Sequence, residues 1–186
     1  MSRSRAGALA LASVVAAVLV VLGSGALDRR GGPRADAGEG TVVEVIDGDT
    51  VDIDVGGRDE RVRLIGVDTP ETVARDRPVQ CFGAEASAHT AALLPPGTPV
   101  RLERDEVVRD RYDRLLAYVY RRDDGLLVNL ALIEGGFADA VSYGDNEALH
   151  DTFVAAEATA RSDGVGLWSA CGGPDVDIGP PPEPPQ

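Results

Sequence analysis

Lysine is absent from this chain, and its absence limits what the protein surface can bind. The 186 residues include 18 basic ones, all arginine, against 31 aspartates and glutamates, so the formal net charge is −13. A protein that holds nucleic acid chiefly through surface charge carries a basic face, because contacts with phosphates supply most of the non-specific affinity. The composition excludes such a face. Any anionic ligand must therefore be bound by a small local group of arginines.

Cysteine is nearly absent as well. The chain contains only Cys81 and Cys171, and together with His89 and His150 they have no zinc-binding spacing. In an oxidising compartment, the simplest interpretation is a single disulfide, which would close a long loop and stabilise the fold by about 2 to 4 kcal/mol. Two free thiols are the alternative. The sequence also lacks a glycine-rich phosphate-binding loop and a Ser-His-Asp set, so nothing in it indicates a P-loop NTPase or a serine hydrolase.

One long apolar run occurs near the start of the chain, at residues 6–23. Arg3 and Arg5 precede it, and the small residues of 24–26 follow it. This order predicts a secretory signal peptide at 1–26, cleaved after Ala26. A membrane anchor is the alternative, because the run nearly reaches the length that spans a bilayer. Either interpretation places the remaining chain outside the cytoplasm, so we expect a secreted protein or an anchored one that faces outward.

The rest of the chain divides by composition into three parts. Residues 27–40 are rich in Gly, Arg, Ala and Asp without periodicity, which indicates a flexible linker. Residues 173–186 end in a proline-rich run, which predicts a disordered tail. Residues 41–172 between them are numerous enough for one domain with its own core. No large apolar face is left over once the elements of this domain are assigned, so we expect a monomer.

Hydrophobic periodicity within residues 41–172 predicts an α+β fold. β-branched and alternating patterns indicate five short strands, and apolar residues at helical spacing indicate three α-helices. We expect strands at 41–46, 51–55, 61–67, 100–104 and 115–120. We expect helices at 83–94, 128–134 and 145–162, the last with Asp145 as its N-cap. Five strands with a helix inserted between the third and the fourth predict a five-stranded OB-fold-like β-barrel.

Two acidic clusters predict a cation site. Asp49 lies in the turn between the first two predicted strands, and Asp68 follows the third strand, with Thr69 next to it. Carboxylate and carbonyl oxygens are the ligands that Ca²⁺ prefers in proteins. Each cluster alone is more typical of a turn or a helix start, and only their joint occurrence favours a metal site. We predict Asp49, Asp68 and the Thr69 carbonyl as ligands of Ca²⁺.

A glutamate and two arginines near these acids predict the chemistry. Glu71 lies three residues beyond Asp68, where it can approach the same ion and still accept a proton from water. Arg63 shares a face of the third strand with apolar residues, so it requires an anionic partner, and Arg114 enters the fifth strand. Planar guanidinium groups bind phosphoryl oxygens with paired hydrogen bonds. The set predicts hydrolysis of a phosphodiester, with Arg63, Glu71 and Arg114 as the catalytic residues.

Six ordered motifs resemble those of the staphylococcal nuclease-like (thermonuclease) family. They are VIDGDT at 45–50, RL and VDTPET at 63–64 and 67–72, FGAEASA at 82–88, YDR and LAY at 112–114 and 116–118, VN at 128–129, and GLW at 166–168. The resemblance covers about residues 41–168 and implies the same Ca²⁺ ligands and catalytic residues. It further implies cleavage between the 5′-oxygen and phosphorus of DNA, leaving 3′-phosphate ends, with RNA as a further candidate substrate.

The resemblance also implies aromatic side chains that stack on the nucleotide. Tyr112 occupies the first of these positions. Simple alignment on Gly136 places Ser142 at the second position, and Tyr143 follows it directly. We expect Tyr112 and Tyr143 as substrate-binding residues. Single strands or frayed duplex should be preferred, because a small barrel groove admits a splayed backbone more readily than a stiff duplex.

A catalytically inactive barrel that binds nucleic acid or a cell-surface partner is the alternative function, because a fold does not determine an activity. Such a module has no need of Glu71 beside Asp49 and Asp68, and it would be expected to carry a basic face. The sequence shows the reverse of both features. The pattern therefore favours the enzyme.

Overall fold

The computed structural model describes residues 35–72, 78–142 and 144–179. The predicted leader at 1–26 and Tyr143 lie outside these ranges, so cleavage of the leader and the role of Tyr143 stay predictions. Within the same ranges, no helix combines the length and the apolar character that crossing a bilayer requires.

The described chain forms nine strands and four helices. In order, they are β1 (Ala35–Val45), β2 (Thr50–Asp54), β3 (Asp59–Leu64), β4 (Val67–Asp68), β5 (Val79–Gln80), α1 (Gly83–Leu93), β6 (Pro99–Arg104), β7 (Leu115–Arg121), α2 (Val128–Glu134), β8 (Asp139–Ala140), α3 (His150–Asp163), α4 (Leu167–Ala170) and β9 (Asp177–Gly179). The short helix α4 is an addition to the three that the sequence predicts.

Five of these strands close into a barrel in the order β1-β2-β3-β7-β6. Neighbouring strands are antiparallel except β3 and β7, which run parallel with Arg63 opposite Leu116. The predicted α+β fold with a five-stranded OB-fold-like barrel is confirmed. The two-stranded pairs β4-β8 and β5-β9 lie outside the barrel sheet.

Alternation of side chains explains how the barrel strands face the core. In β2, Val51 and Ile53 are fully buried while the intervening Asp52 is only partly covered, as the period of two requires. The end of β3 departs from this pattern, because its last three residues, 62–64, are all buried. Arg63 lies in that stretch. The strand therefore carries a charged side chain into the interior of the protein.

The chain bends sharply after β3, where the sequence predicts one uninterrupted strand to residue 67. Gly66 has φ 76°, a conformation that residues with a Cβ rarely adopt. A Cβ at Gly66 would also lie only 2.6 Å from the Phe153 ring, which fills the space from α3. The bend ends β3 at Leu64 and starts β4 at Val67. It turns Asp68 back toward Arg63.

The start of α3 differs from the prediction. The helix begins at His150, and Leu149 occupies the N-cap without a side-chain hydrogen bond, so the expectation that Asp145 caps a helix is wrong. The preceding residues are held by a tertiary contact instead. The Asn146 side chain accepts a hydrogen bond from the Val107 backbone N–H at 2.6 Å and donates one to its carbonyl at 3.0 Å. That pairing fixes the segment in a non-helical form.

Both ends of the domain extend beyond the boundaries that composition predicts. β1 begins at Ala35, inside the expected linker at 27–40, because its backbone pairs with β6 from Ala35 opposite Arg104 to Thr41 opposite Pro99. β9 lies inside the expected disordered tail at 173–186, where it pairs with β5. Backbone pairing needs no apolar pattern in the added strand. β1 and β9 thus include residues that composition assigns to the linker and to the tail.

Candidate active site

A cavity of about 680 Å³ gathers the residues in which the sequence indicates chemistry. Its lining is Asp47, Asp49, Arg63, Asp68, Thr69, Pro70, Glu71, Gln80, Asp110, Arg111, Tyr112, Arg114, Val141, Ser142 and Asp175. Each predicted metal, catalytic and substrate-binding residue within the described ranges belongs to this set. The cavity walls carry six carboxylates and three guanidinium groups. An anionic substrate would therefore need additional positive charge to enter.

Asp49 is held by both of its carboxylate oxygens. Oδ2 accepts hydrogen bonds from the backbone N–H and the hydroxyl of Thr69, both at 3.1 Å, and Oδ1 accepts one from the Thr50 hydroxyl at 3.0 Å. Gly48 packs so closely on Thr69 that an added Cβ would lie 2.5 Å from its hydroxyl oxygen. The Asp-Gly-Asp sequence is thus more than a surface turn. It docks on the segment that carries Asp68.

Arg63 joins the two predicted metal ligands. The residue is only 5 % exposed. Its Nη2 contacts Asp68 Oδ1 at 2.7 Å and Asp49 Oδ2 at 3.1 Å, and its Nη1 donates to the carbonyls of Leu64 at 3.1 Å and Val67 at 2.7 Å. Carboxylates and carbonyls thus receive the donors of a buried guanidinium, which is what burial of a charge requires. The sequence-based expectation of an anionic partner for Arg63 is confirmed.

Two further carboxylates lie close to the predicted metal ligands, Asp47 to Asp49 and Asp139 to Asp68. Burial raises the pKa of Asp47 to about 7, and the negative charge of Asp49 acts in the same direction. Burial also raises the pKa of Asp139 to about 6, with the charge of Asp68, its partner across β4 and β8, as the next cause. Like charges held this close repel each other, and a bound cation would relieve the repulsion.

Glu71 lies two residues before the segment 73–77 in the chain. Its Oε1 accepts a hydrogen bond from the Thr72 backbone N–H at 2.9 Å. Its own backbone is bound on both sides by Gln80, which accepts from the Glu71 N–H through Oε1 at 2.7 Å and donates to the Glu71 carbonyl at 2.9 Å. The carboxylate lines the cavity with Asp49, Asp68 and Arg63. It therefore shares a solvent space with the predicted metal ligands.

Arg114 approaches the cavity from β7 and is oriented by Asp110. Arg114 Nε donates to Asp110 Oδ2 at 2.7 Å, and the backbone N–H groups of Arg114 and Tyr112 both donate to Oδ1 at 2.9 Å. Burial alone would raise the pKa of Asp110, but these hydrogen bonds and the charge of Arg114 together lower it. Asp110 therefore stays ionised and holds the guanidinium in one direction.

Tyr112 forms an exposed wall of the cavity. The residue is 65 % exposed, and the guanidinium carbons of Arg111 and Arg114 lie 4.7 and 5.5 Å from its ring centroid. Its hydroxyl accepts a hydrogen bond from Arg111 Nη2 at 2.7 Å. An aromatic face framed by cations suits a nucleobase next to a phosphate. At the second predicted aromatic position, Val141 and Ser142 line the cavity.

The cavity offers few protein ligands for a metal ion. Over the described ranges, no group of three or more His, Cys, Asp and Glu side chains is arranged to hold one. Asp49 and Asp68 nevertheless meet at one Arg63 nitrogen, and the Thr69 backbone lies against Asp49. The carboxylates of Asp49 and Asp68 supply oxygen ligands of the kind that Ca²⁺ prefers in proteins.

Four acidic or amide residues of the cavity, Asp47, Gln80, Asp110 and Asp175, are not among the predicted site residues. Asp47 was read as part of a turn, although its proximity to Asp49 along the chain is a usable signal. Asp110 precedes Arg114 by four residues, a spacing at which the two side chains do pair here. Gln80 and Asp175 carry no local signal, because the contact between them joins residues 95 positions apart.

Comparison with known proteins identifies relatives of this chain. The family model described as "Staphylococcal nuclease homologue" matches residues 61–170. A thermonuclease from Staphylococcus intermedius is 44% identical over 127 residues, which cover 68% of this chain and 74% of the relative. A thermonuclease from Staphylococcus hyicus is 38% identical over 162 residues, covering 84% of this chain and 94% of the relative. Endonuclease YncB from Bacillus subtilis is 40% identical over 134 residues, which cover 71% of this chain and 62% of the relative.

Proposed function

This chain belongs to the staphylococcal nuclease family and is a nuclease, a hydrolase of phosphodiester bonds, and from this premise we propose its substrate, cofactor and catalytic residues. It is an exported, Ca²⁺-dependent endonuclease that cuts DNA, and RNA as a second substrate. Glu71 activates the attacking water, and Arg63 and Arg114 stabilise the transition state. The supporting observation is that these three side chains line one cavity with Asp49 and Asp68.

Asp49, Asp68 and the Thr69 carbonyl would hold the cation. When bound, Ca²⁺ supplies positive charge that offsets the acidic lining and polarises the phosphoryl group. The structure supports this role through the acidic excess of the cavity and the raised pKa of Asp47. The chain itself supplies a general base, Glu71, and two stabilising arginines, Arg63 and Arg114.

Glu71 is the proposed general base. As the water oxygen bonds to phosphorus, the water proton passes to the Glu71 carboxylate, the bond from phosphorus to the 5′-oxygen breaks, and solvent protonates the departing oxygen. The products are a 3′-phosphate and a 5′-hydroxyl. A positioned carboxylate of this kind contributes about a hundredfold to ten-thousandfold in rate.

Arg63 and Arg114 are the proposed electrostatic stabilisers. The transition state carries more negative charge on its equatorial oxygens than the substrate does, so fixed cations favour it selectively. Both guanidinium groups are already oriented, Arg63 by backbone carbonyls and Asp68, and Arg114 by Asp110. The protein, rather than the substrate, therefore sets the direction of each guanidinium group.

The net negative charge of the chain affects the strength of the proposed substrate binding. Three arginines line the cavity of a chain whose net charge is −13. Overall attraction to polynucleotides is therefore weak, and local contacts provide most of it, so cutting should fall steeply with ionic strength. We propose single strands and frayed duplex as preferred substrates, bound by a monomer with Tyr112 against a base.

A digestion assay tests this function. Plasmid and single-stranded DNA are incubated with the purified protein in Ca²⁺, in Mg²⁺ and in chelator, and we expect cutting to require Ca²⁺. Glu71→Gln and Arg114→Ala should each lower turnover about a hundredfold or more. Arg122→Ala is the matched control, because Arg122 pairs with Glu39 on an exposed surface. Undiminished turnover in Glu71→Gln would remove that residue as the base.

A further inference from the structure

Both polar groups of the Glu71 backbone are bound by one residue, Gln80. Gln80 binds both backbone polar groups of Glu71, the N–H through its side-chain oxygen and the carbonyl through its own N–H. These two bonds join the ends of the segment between residues 71 and 80. Gln80 therefore contributes to the direction in which the Glu71 side chain leaves the backbone.

The Gln80 side chain can do this in only one of its two orientations. A carboxamide has an accepting oxygen and a donating nitrogen of nearly equal shape, and only the oxygen can accept from the Glu71 N–H. Gln80 Nε2 donates to Asp175 Oδ1 at 3.1 Å. By accepting this bond, Asp175 favours the orientation that directs the Gln80 oxygen to Glu71.

Asp175 belongs to a segment that we name the C-terminal strap, residues 171–179. A disulfide from Cys171 to Cys81 attaches its beginning, which is the pairing that the sequence predicts. The Cys81 N–H donates to the Val176 carbonyl at 2.7 Å, and Asp177 in β9 stands opposite Gln80 in β5. Asp175 also lines the cavity. The strap therefore reaches the active site beside the residue that holds Glu71.

We propose that Gln80 is a positioning residue for Glu71, and that the C-terminal strap keeps the Gln80 amide in its working orientation through Asp175. The inference rests on the proposed function, in which Glu71 accepts the proton of the attacking water. A base that is displaced by about 1 Å can lose a hundredfold in rate. Residues that the sequence marks as a tail thus take part in shaping the catalytic centre.

Four variants of the full chain separate orientation from charge. Gln80→Ala removes both side-chain bonds, and we expect kcat to fall about tenfold to a hundredfold with KM within about twofold. Asp175→Ala should lower kcat by about threefold to tenfold, whereas Asp175→Asn keeps an acceptor and should stay within about twofold of the parent. Asp177→Ala is the matched control, because it removes the same charge from the strap without touching the Gln80 amide. It should leave kcat unchanged.

Equal effects of Asp175→Ala and Asp175→Asn would show that Asp175 acts through its charge on the substrate, and this would overturn the orientation role. Denaturant unfolding of each variant confirms that the assayed protein is folded. If Gln80→Ala does not fold, Gln80→Glu replaces it, since a carboxylate still accepts from the Glu71 N–H but cannot donate to Asp175. It should also lower kcat without raising KM.

A double-mutant cycle distinguishes failure of this inference from failure of the proposed function. In a Glu71→Gln background, Gln80→Ala should cause no further loss of residual turnover, because the group that it positions is gone. If Glu71→Gln has no effect by itself, the proposed function fails. If Glu71→Gln is strongly impaired but Gln80→Ala lowers the rate by the same factor in both backgrounds, Glu71 keeps its role and the positioning role of Gln80 is overturned.

Discussion

The two walls of the cavity are built in different ways. The inner wall, formed by Asp49, Arg63 and Thr69, belongs to the barrel and its adjoining turn, and Arg63 is 5 % exposed. The outer wall, formed by Glu71, Gln80, Tyr112 and Asp175, lies on loops, on the short strand β5 and on the C-terminal strap, and Tyr112 is 65 % exposed. The two walls therefore differ in how much their side chains are exposed to solvent.

Removing one member of a buried ion pair leaves the other charged and unsolvated, whereas water replaces a lost contact at an exposed position. Side chains of the inner wall must therefore serve folding and function together. Those of the outer wall can be changed for function at little cost in folding stability. The following measurements test whether substitutions in the inner wall cost more folding stability than those in the outer wall.

Arg63→Ala should give the largest effect. It removes a proposed stabiliser of the transition state, and turnover should fall about a hundredfold to a thousandfold. It also leaves Asp49 without its cation, so the free energy of unfolding should fall by about 3 to 5 kcal/mol. Initial rates and urea unfolding measure the two losses, with Arg122→Ala as the control. Unaltered stability would show that the inner wall is not part of the folded core.

Loss of the disulfide should give the next largest effect on stability. The bond between Cys81 and Cys171 spans 90 residues, and replacing both cysteines by serine should lower the free energy of unfolding by about 2 to 4 kcal/mol. Thermal unfolding of the double variant and of the oxidised parent measures the difference. If the two unfold at the same temperature, the strap contributes nothing to folding stability through its covalent bond.

Tyr112→Ala should affect binding alone. A base stacked on an aromatic ring is worth about 1 to 3 kcal/mol, so KM for single-stranded DNA should rise about tenfold while stability changes by less than about 0.5 kcal/mol. Tyr112→Phe keeps the ring, loses only the hydroxyl bound by Arg111, and should resemble the parent. A large loss of stability in Tyr112→Ala would place this residue with the inner wall.

Asp110→Asn should have the smallest effect, and that effect depends on pH. The pKa of Asp110 is lowered in the folded protein, so its carboxylate stabilises the fold above the unfolded-state pKa of about 3.9. That contribution is lost as the pH falls through the folded pKa. We expect the variant to be about 1 kcal/mol less stable than the parent at pH 7, with the difference shrinking below about pH 4. A constant difference across this range would contradict the assignment.

Much of the barrel could be predicted from periodicity, and the reasons for the errors are physical. Val51 and Ile53 alternate with acids and proved fully buried, because a strand with one face on the core leaves that pattern in its sequence. The start of α3 was misplaced because the bonds between Asn146 and Val107 outweigh a local capping preference. β1 starts earlier than predicted, and β9 was not predicted, because backbone pairing produces no recognisable pattern in amino-acid composition.

The sequence by itself determined the family to which the chain belongs, and it predicted Asp49, Arg63, Asp68, Glu71 and Arg114 as site residues, because they stand in short ordered motifs. It also determined the acidic balance of the chain. Only the tertiary structure decided that Gln80 and Asp175 join this site. Their contact bridges 95 positions of chain, and a hydrogen bond between such distant residues produces no periodicity that a single sequence could reveal.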